Sequence, residues 1–291
     1  MDFAQQLVNG VQIGSVYALV AIGYTMVYGI AKMINFAHGD IIMVGSYVAL
    51  LFFQSSGLPV WGVIAATAAV SAVLGVTIER LAYKPLRGGS RMSALITTIG
   101  VSLMLQNGFL LIFGSSPKPF PNHFTGEGFT LGGVTVSRLT AITLVVTVVL
   151  MVLLTLFVNR TRVGKAMRAV SEDQGAAQLM GINIDTSISI TFAFGSALAA
   201  VAAVLYSSTY PLINPYMGSM LGLRAFIAAV IGGIGVIPGA MIGGFIIGIA
   251  EALIKRYISS AMADAIVFAL LIIVLLVKPS GLLGRNEREK V

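Results

Sequence analysis

The chain has 291 residues, of which 57% are hydrophobic and 10% charged, and its formal net charge is +7. A soluble surface needs about a quarter of its residues charged, so this composition excludes an ordinary soluble domain. The cations gather at the ends of apolar runs, as in the cytoplasmic loops of membrane proteins, and this pattern excludes a nucleic-acid partner. The absence of cysteine excludes a disulfide framework and a thiolate metal site.

Long stretches without Asp, Glu, Lys or Arg predict an all-α polytopic membrane protein. A spanning helix needs about 20 mostly apolar residues, and backbone polar groups in lipid are satisfied only in helices or closed barrels. Barrel strands alternate apolar and polar residues, and these stretches do not. We therefore predict eight to nine transmembrane helices, over residues 5–31, 36–54, 60–82, 92–113, 139–158, 187–207, 222–236, 240–256 and 263–278.

The domain organisation follows from the same pattern. The segments between the predicted helices are at most about 25 residues long, which is too short to bury a core. We therefore expect residues 1–291 to form a single transmembrane domain. The N-terminus carries no basic region before the first apolar stretch, so we expect that stretch to be retained and not cleaved as a signal peptide.

The basic residues predict the orientation of the chain. Cations are concentrated in residues 79–91, in residues 159–185 and in the tail, where they include Arg285, Arg288 and Lys290. Cytoplasmic loops carry the excess of Lys and Arg, so nine crossings place the N-terminus outside and the C-terminus in the cytoplasm. Residues 114–138 then form an external loop. Lys255 and Arg256 fall on the outer side, contrary to the rule that basic residues lie in cytoplasmic loops.

The sequence N-F-A-H-G-D at residues 35–40 interrupts an otherwise apolar region. One interpretation is a cytoplasmic turn between two helices, with Asn35 as the N-cap of the second. The other is a helix break inside the membrane, which is tolerated where it lines a cavity, so that His38 and Asp40 would be intramembrane polar groups with a function. One His and one Asp are too few to hold a metal.

A second interruption is the glycine-rich segment at residues 229–244, which contains six glycines and one proline. No Lys follows as a phosphate-binding loop requires. We predict close helix packing, which small residues allow, together with a helix break at residues 235–238. Two interrupted segments, one in each half of the chain, are typical of transporters. The candidate residues of a substrate pathway are Asn35, His38, Gly232, Gly233 and Gly235.

Isolated polar residues within the predicted helices are expected to form hydrogen bonds between helices. They are Gln12, Ser15, Tyr24, Thr25, Gln106, Asn107, Thr191 and Tyr206. Glu251 and Lys255 are four residues apart and predict a local ion pair. Asp264 is expected to cap the last helix at the interface. The sequence contains no G-x-S-x-G, no H-E-x-x-H and no paired-carboxylate cluster, which argues against an enzyme.

Residues 160–185 form one of the few long polar segments. The segment opens with four cations and continues as a helix-like stretch that ends at Gly181. We interpret it as the surface that a cytoplasmic partner binds.

Several short segments carry a resemblance to a known family. They are G-Y-T-M-V-Y-G (23–29), I-N-F-A-H-G (34–39), G-K-A-M-R-A-V (164–170), A-A (176–177), M-G-I-N (180–183), A-F-I-A-A-V-I-G-G (225–233), G-A (239–240), G-G (243–244) and K-P-S-G-L-L-G (278–284). In this order and at these spacings they resemble the permease subunit of branched-chain amino acid ABC importers, of the high-affinity H type. The likeness covers nearly the whole chain, and the urea ABC permease is a close cousin.

The resemblance implies a cytoplasmic coupling helix within a loop at about residues 159–187. Such helices carry an E-A-A-x-x-x-G motif that docks into an ATPase, and residues 176–181 fit its A-A-x-x-x-G part. Gly175 stands where the motif has Glu, and the trailing I-x-L-P is absent, as in the amino acid and sugar branch. The implied ATPase-coupling residues are Arg168, Glu172, Ala176, Ala177 and Gly181.

The resemblance also implies the partners and the location. It implies two cytoplasmic ATPases that bind ATP and magnesium, a second permease that is identical or paralogous, and a periplasmic or lipid-tethered amino acid-binding protein. The chain itself would carry no cofactor, have no enzymatic activity and span the bacterial inner membrane. The alternatives are a permease for urea or other small amides or amino acids, and a self-sufficient channel or secondary carrier, which would also use broken, glycine-rich segments.

Overall fold

A computed structural model of the chain describes residues 2–87, 89–124, 126, 128–131 and 133–284. Within these residues the chain forms eleven α-helices. They are α1 (Asp2–Ala31), α2 (His38–Ser55), α3 (Val60–Ile78), α4 (Arg91–Phe113), α5 (Arg138–Arg160), α6 (Arg162–Glu172), α7 (Gln174–Leu179), α8 (Ile184–Thr209), α9 (Met217–Gly232), α10 (Ile237–Tyr257) and α11 (Ala263–Val277). Arg285, Arg288 and Lys290, which the orientation argument used, lie outside the described residues.

The remaining regular structure is short. The third helix continues as one turn of π-helix, Glu79–Tyr83, and one of 3-10 helix, Lys84–Leu86. Two small antiparallel sheets lie in the connections. In the first, β1 (Lys118–Pro119) pairs with β4 (Leu212–Ile213), and in the second, β2 (Phe129–Leu131) pairs with β3 (Val134–Val136).

Six helices are long and apolar enough to cross a membrane, and two further apolar helices, α9 and α11, are shorter. The six are Phe3–Ala31, Val60–Leu86, Met92–Phe113, Arg138–Arg160, Ile184–Thr209 and Ile237–Tyr257. The expectation of an all-helical membrane protein is therefore confirmed. The predicted break at residues 235–238 is confirmed within two residues, because α9 ends at Gly232 and α10 begins at Ile237.

The connections gather at two ends of the bundle. At the end that we call the basic end, Arg87 forms an ion pair with Asp185, and one cavity is lined by Lys32, Arg168 and Gly235. At the opposite end, Gln5 donates to the carbonyl of Thr135, 3.0 Å away, and β1 pairs with β4. The basic loops that the sequence grouped together therefore lie at one end of the bundle.

The first helix is the centre of the bundle and packs against α5, α8, α9 and α10. Gly10, Gly14 and Ala18 recur every four residues and so share one face of α1. This face meets Gly244 and Gly248 of α10 so closely that a Cβ on Gly244 would lie 2.5 Å from the Ala18 Cα. Small residues let the two backbones approach, which confirms the packing that the glycine-rich segment predicted.

We expect Gly244→Ala to lower the midpoint of thermal unfolding in detergent, because the added methyl group meets the backbone of α1 and overpacking costs about 1–3 kcal/mol. Gly100→Ala on α4 is the matched control, since no atom lies within 4 Å of its Cβ position. It should leave the midpoint unchanged or raise it, because Ala is the better helix former. Equal midpoints for the two variants would show that the α1–α10 contact can relax.

Five of the eight polar residues predicted to bond between helices form side-chain hydrogen bonds of two kinds. Gln12 bonds to Thr209 of α8 and Thr140 of α5, and Gln106 bonds to Asp40 of α2, so these two form the expected bonds between helices. Three others donate instead to a carbonyl of their own helix, four residues back, which a short polar side chain reaches without a partner helix. These are Ser15, Asn107 and Thr191.

Candidate functional site

A cavity of 1290 Å³ opens at the basic end of the bundle. It lies between the last turns of α1 and α5, the first turn of α4, the helix α6, the gap between α9 and α10, and the segment after α11. Its lining is Thr25, Met26, Tyr28, Gly29, Ile30, Lys32, Met33, Ile34, Ala94, Leu95, Thr155, Val158, Asn159, Arg168, Ser171, Glu172, Val230, Ile234, Gly235, Val236, Ile237, Pro238, Pro279, Ser280, Leu283 and Gly284. Most of these side chains are apolar.

The gap between α9 and α10 forms because two glycines have left-handed backbone. Gly233 has φ +108° and Gly235 has φ +92°, conformations that L side chains rarely adopt. Pro238 lies in the first turn of α10, where its missing N–H costs no hydrogen bond. Of the three glycines predicted for a pathway, Gly235 lines the cavity, whereas Gly232 and Gly233 are not part of its lining.

The segment after α11 closes over the end of α9. The backbone N–H groups of Leu282 and Leu283 donate to the carbonyls of Ile231 and Gly232, at 2.8 and 3.0 Å. These carbonyls belong to the last turn of α9, where carbonyl groups have no hydrogen-bond donor within their own helix. A Cβ on Gly281 would lie 2.6 Å from the Gly233 Cα, so this segment needs a glycine to approach.

The break between α1 and α2 corrects one sequence expectation. Asn35 is not the N-cap of α2, since Ala37 holds that position without a side-chain bond. Asn35 is buried instead, and its Oδ1 accepts a hydrogen bond of 2.6 Å from the hydroxyl of Tyr83. Burial beneath Tyr83 holds the side chain away from the first turn of α2. Asn35 also lines a separate void of 10 Å³, which shares Ile34 and Ile234 with the large cavity.

His38 and Asp40 are buried within the bundle and do not line the large cavity. The His38 ring packs edge-on against Tyr24 at a centroid distance of 4.5 Å, and its Nε2 has no hydrogen-bond partner among the described residues. Asp40 accepts from Gln106 at 2.9 Å, and Gln106 also donates to Ser219 at 2.9 Å. The two residues therefore belong to the contacts that hold α2 to α1, α4 and α9.

The polar segment between α5 and α8 folds into two capped helices. The hydroxyl of Thr161 accepts from the N–H of Gly164, which starts α6, and the carboxylate of Asp173 accepts from the N–H of Ala176, which starts α7. The end of α7 is a Schellman turn, in which Gly181 has φ +79° and the N–H of Ile182 donates to the carbonyl of Ala177. The helix-like stretch therefore ends at Gly181, as the sequence predicted, and the positive φ of this glycine turns the chain towards α8.

The five residues predicted to couple to an ATPase lie on different surfaces. Arg168 and Glu172 of α6 line the cavity. Ala177 is buried against the bundle, whereas Ala176 and Gly181 are exposed.

The most exposed apolar residues at this end are two that the sequence analysis missed. Leu179 and Met180 have 91% and 82% of their surface exposed. They lie at the tip of α7, beyond the bundle. Two adjacent large apolar residues inside the longest polar segment were the signal that could have identified them.

An ion-pair group ties the exit of this segment to the end of α3. Arg87 pairs with Glu79 of the π-helical turn and with Asp185 in the first turn of α8. Lys84 also pairs with Asp185, 2.7 Å away. Glu79 is fully buried and accepts a hydrogen bond of 2.6 Å from Ser189 of α8. These ion pairs and this hydrogen bond therefore hold the start of α8, the next helix after α7, against the turns that follow α3.

A second group of charges lies inside the bundle and was also missed. The guanidinium of Arg224 donates at 3.0 Å to the Glu251 carboxylate and to the Tyr17 hydroxyl, and it pairs with Asp264. The predicted pair of Glu251 and Lys255 is confirmed. Asp264 lies in the first turn of α11, but its carboxylate binds Arg224, so the expectation of a simple cap is wrong. The residues that the structure describes contain no group of three metal-ligating side chains.

A bundle of apolar helices, a cavity that opens at one end and a helix break at its wall are features of membrane transport proteins. A family model described as "Branched-chain amino acid transport system / permease component" matches residues 6–275, so the chain belongs to this family.

Curated relatives agree with this assignment. The chain is 48% identical to the high-affinity branched-chain amino acid transport system permease protein LivH of Escherichia coli (strain K12), and the match covers 99% of this chain and 98% of LivH. It is also 48% identical to the corresponding permease BraD of Pseudomonas aeruginosa, with the same coverage.

A solved structure supports the fold. PsaBC from Streptococcus pneumoniae, in complex with a Fab, matches with a TM-score of 0.50 over 96% of this chain and 93% of that one. The sequence identity is 13%, so the likeness concerns the fold alone.

Proposed function

We propose that this chain is the transmembrane subunit of an ATP-driven ABC importer that carries branched-chain or related aliphatic amino acids across the bacterial inner membrane. The observation that carries the proposal is the 48% identity to LivH over nearly the full length of both chains. Hydrolysis of ATP, and the binding of ATP and magnesium, belong in this proposal to partner subunits. The cavity and the helix breaks support a transport role.

The coupling surface in this proposal is the tip of α7. Exposed large apolar residues that protrude from a polar segment mark an interaction site, and Leu179 and Met180 are such residues. We assign them to the groove of the ATPase, beside Ala176 and Gly181. Ala177 would pack α7 against the helix bundle. Arg168 and Glu172, which belong to the same loop, would line the cavity.

The proposed topology has nine crossings, with the N-terminus outside and the C-terminus in the cytoplasm. The positive-inside rule supports it, because Lys84, Arg87 and Arg168 lie at the end where the cavity opens. The chain would act as one transmembrane unit over residues 1–291, with the coupling loop at about residues 159–187. The cavity would then face the cytoplasm, which is the release side of an importer.

The remaining partners complete a transport cycle. A second permease, identical or paralogous, would pair with this chain, and two ATPases would close on binding ATP and move α7. A periplasmic or lipid-tethered binding protein would deliver the amino acid at the opposite end. Movement of α7 would reach the bundle through the ion pairs of Asp185 with Lys84 and Arg87.

We expect the tagged chain, purified in mild detergent from its native membranes, to recover an ATPase that mass spectrometry identifies. Gly181→Val should reduce this recovery, because a β-branched residue is strained at positive φ. Gly181→Asn is the matched control and should retain recovery, since Asn tolerates that conformation. The recovered complex in liposomes should take up leucine only with ATP inside and the binding protein outside.

Other outcomes would contradict the proposal in distinct ways. Uptake of urea but not leucine would identify the urea permease. Flux of leucine from this chain alone, without ATP, would identify a self-sufficient channel or carrier.

A further inference from the structure

Three cations at the start of the polar segment 160–185 take no part in the contacts described above. Arg160 is the last residue of α5, and Arg162 and Lys165 are among the first four residues of α6. All three are exposed, and their side chains form no ion pair or hydrogen bond with another residue that the structure describes. Arg168, the fourth cation of the segment, lines the cavity and is left out of this group. The three charges are therefore available to an anionic ligand.

The backbone holds these three cations close together. Successive Cα atoms are 3.8 Å apart, so the Cα atoms of Arg160 and Arg162 are separated by at most about 7 Å. Arg162 and Lys165 are three residues apart on a helix, which makes them neighbours on its surface. The turn between α5 and α6 is fixed, because the Thr161 hydroxyl donates at 2.7 Å to a carbonyl in the last turn of α5. We call Arg160, Arg162 and Lys165 the basic patch.

The two cations on α6 face away from the bundle. The buried residues of α6 are Gly164, Met167 and Val170. Arg162 lies two residues before the first of these and Lys165 two residues before the second. Two residues turn an α-helix by about 200°, so the two cations lie on the face opposite the buried one.

The basic patch lies at the end of an apolar stripe on α5. Of the six apolar helices long enough to cross a membrane, α5 is the most apolar and the least buried. Its stripe consists of residues spaced three or four apart that are 48–59% exposed, and they are Val145, Val149, Leu153 and Leu156. Arg160 follows Leu156 by four residues and so shares this face.

Helix length places the basic patch at the level of the lipid headgroups. The helix α5 has 23 residues, which span about 35 Å at 1.5 Å per residue, and the hydrocarbon core of a bilayer is about 30 Å thick. The stripe therefore contacts acyl chains, and Arg160, at the last position of the helix, reaches the surface of the bilayer.

We infer that the basic patch binds the headgroup of an anionic phospholipid in the leaflet at the basic end. The lipid phosphate binds Arg160 and Arg162, with Lys165 one turn further along α6, and the acyl chains lie along the stripe of α5. Basic clusters that directly follow a transmembrane helix attract anionic lipids. A free phosphate would meet the cations alone, whereas a phospholipid also covers the apolar stripe. The inference goes beyond the proposed function, because it requires a bilayer but neither an ATPase nor a transported solute.

The test measures lipid binding to the full chain, purified in mild detergent, by native mass spectrometry. The probe is phosphatidylglycerol, and phosphatidylcholine with the same acyl chains is the zwitterionic reference. Glycerol 1-phosphate serves as a soluble competitor that lacks acyl chains. The main variant replaces Arg160, Arg162 and Lys165 together with glutamine, and size exclusion checks that it folds like the wild type.

Two further variants are matched controls. Arg160→Lys combined with Arg162→Lys keeps both charges, and lysine still binds a phosphate as a point charge. Lys118→Gln removes one cation from β1, at the opposite end of the bundle, and is compared with Arg162→Gln, which removes one cation from the patch.

We expect the wild type to bind phosphatidylglycerol more tightly than phosphatidylcholine. Each cation removed from the patch should weaken phosphatidylglycerol binding about fivefold, so the triple variant should bind it roughly 100-fold more weakly. The lysine pair should stay within about twofold of the wild type, and Lys118→Gln should bind like the wild type. Raising the salt concentration should weaken binding of phosphatidylglycerol to the wild type, since exposed charges are screened.

Four results would overturn the inference. They are equal wild-type affinity for the two lipids, unchanged binding by the triple variant, equal weakening by Lys118→Gln and Arg162→Gln, and displacement of the lipid by glycerol 1-phosphate at equal concentration. Displacement of the lipid by added ATPase would assign the patch to a protein interface and overturn it as well. The lipid measurements without ATPase use neither leucine nor ATP, so their failure leaves the proposed function standing.

Discussion

Replacing Leu179 and Met180 together with glutamate is expected to abolish recovery of the ATPase while the chain still inserts and folds. The two side chains have 91% and 82% of their surface exposed and contribute little to the bundle. Burying each of them in a partner is worth about 1.5–3 kcal/mol, so their joint loss should weaken the complex at least about 100-fold. Two buried carboxylates would weaken it further. The measurement is co-purification from membranes, with the amount of inserted chain as the reference.

The control for added charge is Gln178→Glu, which lies on α7 and is exposed but removes no apolar surface. It should recover the ATPase nearly as well as the wild type. Equal recovery by the double variant would place the ATPase contact elsewhere on the basic end, and loss of recovery by Gln178→Glu would assign the effect to charge alone.

Replacing Arg87 with leucine should have the largest effect on folding. It would leave the fully buried Glu79 with Ser189 as its remaining partner among the described residues. Removing one member of a buried ion pair costs about 3–5 kcal/mol. We expect the folded fraction, measured by size exclusion in detergent, to fall sharply. Leucine transport should fall with it, because the start of α8 also loses its link to α3.

A second substitution separates these two effects. Glu79→Gln in the Arg87→Leu background removes the uncompensated charge and should restore folding, as a double-mutant cycle would show. Transport should remain reduced if the link to Asp185 transmits movement of α7. Lys84→Leu serves as a surface control, since its pair with Asp185 is about half exposed and such pairs contribute under about 1 kcal/mol. Full transport by the double variant would limit Arg87 to a structural role.

The helices were largely predictable because apolar runs and their breaks are local signals. The predicted helix at 92–113 is Arg91–Phe113, and the predicted helix at 263–278 is Ala263–Val277. The glycine-rich break was also predictable, since Gly233 and Gly235 adopt conformations that few other residues can. The predicted helix at 60–82 ended too early, because one π-helical and one 3-10 turn extend it to Leu86.

The partners of buried polar groups were not predictable, because they come from distant parts of the chain. Arg224 binds groups that are 27, 40 and 207 residues away in sequence. Asn35 matched an N-cap pattern, but Tyr83, 48 residues away, holds its side chain. The A-A-x-x-x-G pattern identified α7 but not its outward face, since Ala177 is buried and Leu179 is exposed. Which face of a helix packs against the bundle depends on the tertiary structure, and a short motif does not determine it.

The charges around Arg224 also constrain how the chain is made. The helix α9 has only 16 residues and carries Arg224 near its middle, and an arginine at the centre of a helix disfavours insertion by about 2.5–3.5 kcal/mol. The carboxylates that neutralise it, Glu251 and Asp264, are synthesised 27 and 40 residues later. The helix α9 therefore inserts less favourably alone than together with α10 and α11, which supply these carboxylates. We therefore expect α9, α10 and α11, residues 217–277, to enter the bilayer together, so that the arginine and its carboxylates leave water as a neutral group.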